Sequence, residues 1–287
     1  LEVSLVLFVL SIFLSNYFTK TLVGPIEEMA RNISDPGQEV VYRELEPFVA
    51  TIRQQHDDII KSAQMRQEFT ANVSHELKTP LQSIIGSVEL LENDLVQPED
   101  RPRFLGRIHQ EAQRLVSLIN DILGLSQLDE GAAMPRESVS LLSLAQEAAA
   151  SLSAAAQAQN VTLTVNGTAG TLTGVRRLLS ETVRNLCENA VKYNVPGGSV
   201  TVTVAETPQA VTLTVADTGI GIPPADQSRV FERFYRVDKS HSRAIGGTGL
   251  GLSIVKHAVA YHHGTVQLDS TPGQGTVITV TLPKDAA

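Results

Sequence analysis

The sequence predicts two domains of different class: an all-α helical hairpin that dimerises into a four-helix bundle, followed by an α+β sandwich. Three observations predict this. Apolar residues recur at helical spacing through two long segments between 62 and 130. The stretch Gly131-Ala-Ala-Met-Pro-Arg136 then breaks the helical pattern. Beyond it, short segments alternate apolar with β-favouring polar residues, as half-buried strands do. At 287 residues, with 42% hydrophobic and 19% charged side chains, the chain has length and composition for about two globular domains. A net charge of −8 argues against a nucleic-acid partner, which would need a basic patch. The single cysteine, Cys187, excludes an intrachain disulfide framework and suits a reducing compartment.

Leu1 is not a methionine, and the sequence reads as a piece of a longer chain. Residues 3–18 are apolar and uncharged, and Tyr17, Phe18 and Lys20 resemble an interfacial belt followed by a cytosolic charge. Residues 1–19 are therefore expected to end a transmembrane helix, in preference to a buried core helix or a signal-peptide core. This places the protein at the inner (cytoplasmic) membrane with the rest of the chain in the cytoplasm. In 20–61, Gly24-Pro25-Ile26-Glu27-Glu28-Met29 starts a short amphipathic helix, Asp35-Pro36-Gly37 stops it, and a second helix begins near Tyr42 and runs towards Met65. The Pro-Ile-x-x-Met segment resembles a HAMP-type signal linker; a plain helical stalk is the other reading.

A helix is expected from about 62 to 95. On it Phe69, Val73, Leu77, Leu81, Ile84, Val88 and Leu91 share one face. His75 falls nearly opposite, with Glu76 adjacent and Thr79 one turn on. Pro80 removes a helical hydrogen bond, so a kink is expected just after the histidine. Val96 to Pro102 turns the chain, and Leu105, Ile108, Ala112, Leu115, Ile119 and Ile122 then recur at 3-4-3-4-3 spacing, a bundle seam. A lone hairpin buries one stripe, and the economical partner is a second copy. Residues 62–130 are thus read as a dimerising hairpin, 131–137 as a linker, and 138–284 as the sandwich. Within it, helices are expected at 142–158, 176–192 and 254–261, with strands at 161–165, 199–204, 211–215, 265–270 and 275–282 in one mixed sheet.

Four segments of the second domain carry chemistry. In Asn185-Leu-Cys-Glu-Asn-Ala-Val-Lys-Tyr-Asn194, helical spacing puts Asn185, Asn189 and Lys192 on one face. Two amides and an ammonium suit a magnesium-bound phosphate chain, although any one of them alone would read as a solvated face. In Asp217-Thr-Gly219-Ile-Gly221 a strand ends in a carboxylate, an acceptor for an exocyclic amine such as that of adenine. Alone, such a segment is most often just a turn. Phe231-Glu-Arg-Phe-Tyr-Arg236 offers aromatic anchors and arginines that can reach a phosphate. Gly247-Thr248-Gly249-Leu250-Gly251 opens a helix, where backbone amides bind phosphate. The other histidines match no metal-ligand spacing, and Cys187 reads as a small packing residue.

In this order, with Ser-His-Glu-Leu-Lys-Thr-Pro ahead of them, the segments resemble the sensor histidine kinases of two-component systems over residues 62 to 284. The resemblance implies a dimerisation and histidine-phosphotransfer hairpin and an ATP-binding domain of the Bergerat fold. It implies His75 as phosphoacceptor, Glu76 as base or orienting acceptor, and Thr79 as positioner of a water that dephosphorylates a response regulator. It further implies Asn189 as Mg²⁺ ligand; Asn185, Lys192, Tyr193, Gly219, Gly221, Gly247, Thr248, Gly249, Leu250 and Gly251 at the ATP site; Asp217 on the adenine amine, assisted by Thr276; and Arg236 with 238–246 as a lid. The implied partners are a homodimer copy and a cytosolic response regulator. An ATPase of the same nucleotide fold is the runner-up, disfavoured by Asn185, whose amide cannot activate water as a carboxylate does. A degenerate dimeric scaffold is a third reading, disfavoured by the intact motifs.

Overall fold

The computed structural model describes residues 2–24, 46–129, 134–237 and 247–284. Its contacts divide into two units, one up to Ala71 and one from Asn72 onward. The first unit contains α1 (Glu2–Phe18), which passes into a π-helical turn at Thr19–Val23. Its apolar side chains from Leu5 to Phe18 are exposed, and the window Ser4–Thr21 is long and apolar enough to cross a membrane. The expected short helix at 25–33, its Asp35-Pro36-Gly37 stop and the start of the next helix near Tyr42 lie outside the described residues.

The helices read separately as 42–65 and 62–95 are one: α2 (Glu46–Glu92) runs 47 residues. Between Pro47 and Pro80 there is neither glycine nor proline, so nothing stops it. Pro80 is buried inside the helix without ending it. Its missing N–H deprives the Glu76 carbonyl of its usual helical donor. At the far end Asp94 adopts a positive φ of 51° and the chain turns back.

In the second unit α3 (Arg101–Asp129) returns along α2 to complete the hairpin. The sequence-predicted seam divides in two. Ile108, Leu115 and Ile122 are half-buried, whereas Leu105 and Ile119 are exposed together with Val116 and Leu123. On α2, Leu81 was expected on the buried face; it and Ile85 are both 48% exposed. The apolar stripes are wider than one hairpin can cover.

After the hairpin come β1 (Glu137–Ser140), α4 (Leu141–Ala158), β2 (Thr162–Gly167), β3 (Thr171–Gly174), α5 (Arg176–Lys192), β4 (Ser199–Glu206), β5 (Ala210–Asp217), the short α6 (Pro224–Gln227), α7 (Gly251–Tyr261), β6 (Thr265–Thr271) and β7 (Gly275–Pro283). Five strands form one sheet in the order β2-β4-β5-β7-β6, with β2–β4 parallel and the other pairs antiparallel. β1 and β3 make a separate two-stranded ribbon that sequence reading missed, and Glu137, read as linker, begins it. Each of these strands has four residues, too few to show a period.

Alternation places Val200, Val202 and Val204, Val211, Leu213 and Val215, and Ile278, Val280 and Leu282 on one face of the sheet. Against it α4, α5 and α7 bury Leu144, Leu179, Val183, Leu186, Val255 and Val259. Fully burying each such side chain is worth about 1.5–3 kcal/mol, so the five-stranded sheet and its helices form the stable platform. Cys187 belongs to this core, where burial pushes its thiol up to about 12. His262 is buried at the end of α7. Its Nε2 accepts from the Val175 N–H at 2.9 Å while Nδ1 donates to the Ala258 carbonyl at 2.7 Å.

Candidate active site

His75 lies on the solvent side of α2, its side chain 67% exposed, as an imidazole opposite an apolar stripe should be. The neighbouring Glu76 turns towards the hairpin. Its Oε1 stands 3.8 Å from His75 Nδ1. Thr79, one turn on and exposed, donates its hydroxyl to the His75 carbonyl at 3.1 Å. Sequence spacing alone placed these three together.

The second cluster is built on α5. Asn185 and Asn189, one turn apart, and Lys192 and Tyr193 beyond them are all half-buried. The Lys192 ammonium sits 5.3 Å from the Tyr193 ring centroid. Burial holds the Lys192 ammonium below its ordinary range, opposed by Glu188; Arg236 and Arg114 push it further down. The glycine loop lies directly over this face. A Cβ on Gly247 would come 2.6 Å from Lys192 Nζ, and one on Gly251 would meet Asn185 Oδ1 at 3.1 Å. The loop thus leaves room at the amides and ammonium that a side chain would fill.

The third element is the end of β5. Asp217 Oδ1 accepts from the Gly219 N–H at 2.8 Å and from the Thr276 N–H of β7 at 3.2 Å. Burial nevertheless raises the carboxyl above the usual carboxylate range, the two N–H bonds opposing it. Thr276 is 8% exposed, and its hydroxyl lies 2.9 Å from Ser270 Oγ. The turn to α5 is tight: Ile220 N–H donates to the Tyr193 carbonyl at 3.1 Å. Gly221 has φ +67°, and a Cβ there would fall 2.2 Å from the Thr271 carbonyl oxygen, so the turn requires glycine on both counts.

Three contacts join the clusters. Arg236, only 10% exposed, places Nη2 at 3.2 Å from Glu76 Oε2 and also donates to the Gly247 carbonyl. Thr248 turns to the hairpin, its hydroxyl donating to Asp121 Oδ2 at 3.0 Å. Leu250, expected at the nucleotide, puts its side chain instead into an apolar cluster with Ile254, Leu118 and Leu125, flanked by Leu77, Ile122 and Phe234. Its backbone is engaged within the loop and the helix start: the N–H donates to Thr248 Oγ1 at 3.3 Å, and the carbonyl accepts from Ser253 Oγ and the Ile254 N–H. The expected lid residues 238–246 lie outside the described residues.

Arg114 and Asp121 escaped the sequence reading. Arg114 Nη2 lies 3.7 Å from Glu76 Oε2; nothing in its spacing marks it, because the pairing is across the hairpin. Asp121 did carry a signal. It stands three residues after Leu118 and four before Leu125, a carboxylate on an apolar stripe. Burial raises its carboxyl above the ordinary range, and the Thr248 hydrogen bond opposes that rise.

Two family models match the chain. The His Kinase A (phospho-acceptor) domain covers residues 65–131, and the histidine kinase-, DNA gyrase B- and HSP90-like ATPase covers 174–286. The chain belongs to the sensor histidine kinases. Among curated histidine kinases, the sensor-like histidine kinase SenX3 of Mycolicibacterium smegmatis (strain ATCC 700084 / mc(2)155) is 38% identical over 237 residues, 79% of this chain and 61% of SenX3. The chain thus spans about three-fifths of that relative's length. Among solved structures, full-length ShkA in complex with AMPPNP is 29% identical with a TM-score of 0.57, over 77% of this chain and 46% of ShkA. Histidine kinase ThkA in complex with the response regulator protein TrrA shares the fold at a TM-score of 0.59 and 19% identity, over 86% of this chain and 68% of ThkA. The helical hairpin followed by an α/β domain with a mixed sheet is the fold expected of a histidine kinase.

Proposed function

We propose that this chain is an ATP-dependent protein-histidine kinase that phosphorylates His75 and passes the phosphoryl group to an aspartate of a response regulator. The observation that carries the proposal is Arg236, whose guanidinium contacts both Glu76 beside the phosphoacceptor and the Gly247 carbonyl of the glycine loop. One side chain thus joins the acceptor to the site built for phosphates.

The residues fit magnesium-bound ATP. Two backbone N–H groups occupy Asp217 Oδ1 and leave Oδ2 for a purine amine. Thr276 packs beside it. Asn189 offers an amide oxygen to Mg²⁺, with Asn185 on the same face. Lys192, Arg236 and the loop amides of 247–251 offset phosphate charge. When bound, Mg²⁺ supplies charge neutralisation at the phosphates.

In the mechanism, a neutral His75 nitrogen attacks the terminal phosphorus, and the bond from that phosphorus to its bridging oxygen breaks. A proton on Nδ1 leaves Nε2 as the nucleophile; as the phosphorus–nitrogen bond forms, the ring becomes cationic, and Glu76, whose Oε1 stands 3.8 Å from Nδ1, stabilises that charge and takes the Nδ1 proton. Asn185, an amide, cannot deprotonate water, which disfavours hydrolysis. Thr79 then positions a water for the reverse task, dephosphorylation of the regulator. Leu105, Val116, Ile119 and Leu123 of α3, with Leu81 and Ile85 of α2, are the apolar surface that a second copy covers. α1 anchors the chain in the inner membrane, with the catalytic part in the cytoplasm. A regulator partner is supported by ThkA, whose solved complex contains one.

Incubation with γ-labelled ATP and Mg²⁺ tests the reading. Acid-labile, alkali-stable label that disappears in His75→Gln is expected. Label that persists in that variant sinks the assignment of His75, and free phosphate without labelled protein supports the ATPase reading instead. Thr79→Ala should keep kinase activity and lose regulator dephosphorylation.

A further inference from the structure

Glu76 has two oxygens, and they face different ways. Oε1 faces His75 Nδ1. Oε2 faces two guanidinium groups, Arg236 at 3.2 Å and Arg114 at 3.7 Å. The two arginines differ in where they are held. Arg236 lies on the loop side of the ATP domain, bonded to the Gly247 carbonyl, and the proposed reaction calls it to the phosphates. Arg114 lies on α3, inside the same hairpin as Glu76, so the hairpin itself sets its distance from the carboxylate.

Arg114 is also held from behind. Its Nη1 lies 3.9 Å from Glu111 Oε2, one turn earlier on α3. That oxygen is buried and accepts no hydrogen bond among the described residues. Both contacts are longer than a hydrogen bond, so the two carboxylates hold the guanidinium between them by charge. Arg114 is 26% exposed, and its charge is already shared by Glu76 and Glu111. That argues against a role as a free phosphate ligand.

We propose that Arg114 is a positioning residue for the phosphoacceptor. It holds Glu76 Oε2 after Arg236 turns to the nucleotide, so that Oε1 continues to face His75 Nδ1 while the ring attacks. The chain of contacts runs Glu111, Arg114, Glu76, His75. This rests on the reading of Glu76 as the acceptor that orients His75.

The test is a double-mutant cycle on the full chain, reading the single-turnover rate of His75 labelling at saturating Mg-ATP and, separately, the ATP dissociation constant. Glu76→Gln should slow labelling by about a hundredfold, as loss of an acid–base group does. Arg114→Ala should slow it about tenfold with the dissociation constant unchanged, and Arg114→Lys should recover part of that loss because it restores charge without the planar fork. In the Glu76→Gln background, Arg114→Ala should add less than about a twofold loss, since the residue it acts through is already disabled. Losses that multiply in the double variant, or an Arg114→Ala rate equal to that of the unmodified chain, overturn the inference. If Glu76→Gln itself labels at the unmodified rate, the reading of Glu76 fails, and the inference falls with it. Should Arg114→Ala fail to fold, the same cycle run with Arg114→Lys decides between the outcomes: a loss with Glu76 present that vanishes in Glu76→Gln supports the positioning role, and a multiplying loss refutes it.

Discussion

Asp217→Asn should separate nucleotide binding from stability. The carboxylate uses Oδ1 to accept from the N–H groups of Gly219 and Thr276. An asparagine keeps an oxygen in that position and both of those bonds. What it loses is the second acceptor, replaced by an NH₂ that meets a purine amine donor to donor. A hydrogen bond to a charged group is worth about 1.5–3 kcal/mol, so ATP affinity should fall roughly 10- to 150-fold. Folding should respond in the opposite sense. Burial raises this carboxyl in the folded chain, so ionising it costs the fold at any pH above the ordinary aspartate value of about 4. The amide carries no such cost. Without nucleotide at pH 7.5, the variant should therefore melt at the same temperature as the unmodified chain or higher. That advantage should fade as pH falls below the carboxylate range and the aspartate becomes neutral in both states. Calorimetric titration with ATP and thermal melts across pH provide the two readouts. A variant that binds ATP unchanged removes Asp217 from the purine site. A variant that melts well below the unmodified chain at neutral pH refutes the reasoning about Oδ1.

Asp121→Ala should tighten nucleotide binding by a few fold, up to about tenfold, because it frees the Thr248 hydroxyl that Asp121 now engages. Equal dissociation constants would mean that this contact does not compete with phosphate. His262 carries a pH dependence of its own. Burial lowers its imidazole below the ordinary value of about 6.5. The unfolded chain then binds a proton before the folded one does, and stability present above that pH is lost as pH falls through the lowered value. His262→Leu should flatten this limb of a stability-against-pH curve. It should also lower stability by about 1–3 kcal/mol overall, since it strands the Val175 N–H. A limb that survives the substitution assigns the titration elsewhere.

Local pattern made much of this protein legible. The Thr-Val alternation of β4 and β5 marked strands because a side-chain period of two puts every second residue on the helix-covered face. The helix at 176–192 was readable because its apolar positions recur at helical spacing, and the same geometry aligned Asn185, Asn189 and Lys192. His75, Glu76 and Thr79 were legible for the same reason. The four-residue strands β1 and β3 were not, since their pairing is non-local. The continuity of α2 was written in the sequence, since neither glycine nor proline stands between Pro47 and Pro80, although its two halves read as separate helices.

By itself the sequence determined the type of the longer elements, most of their apolar positions and the inventory of chemical groups, because these follow from backbone periodicity and side-chain type. Only the tertiary structure decided which groups meet. It turned Leu250 into an apolar cluster and Thr248 onto Asp121. It brought Arg236 from 160 residues away to Glu76, and it set Arg114 behind the same carboxylate. Contacts between segments far apart in the chain depend on how rigid elements dock, and no local period records that.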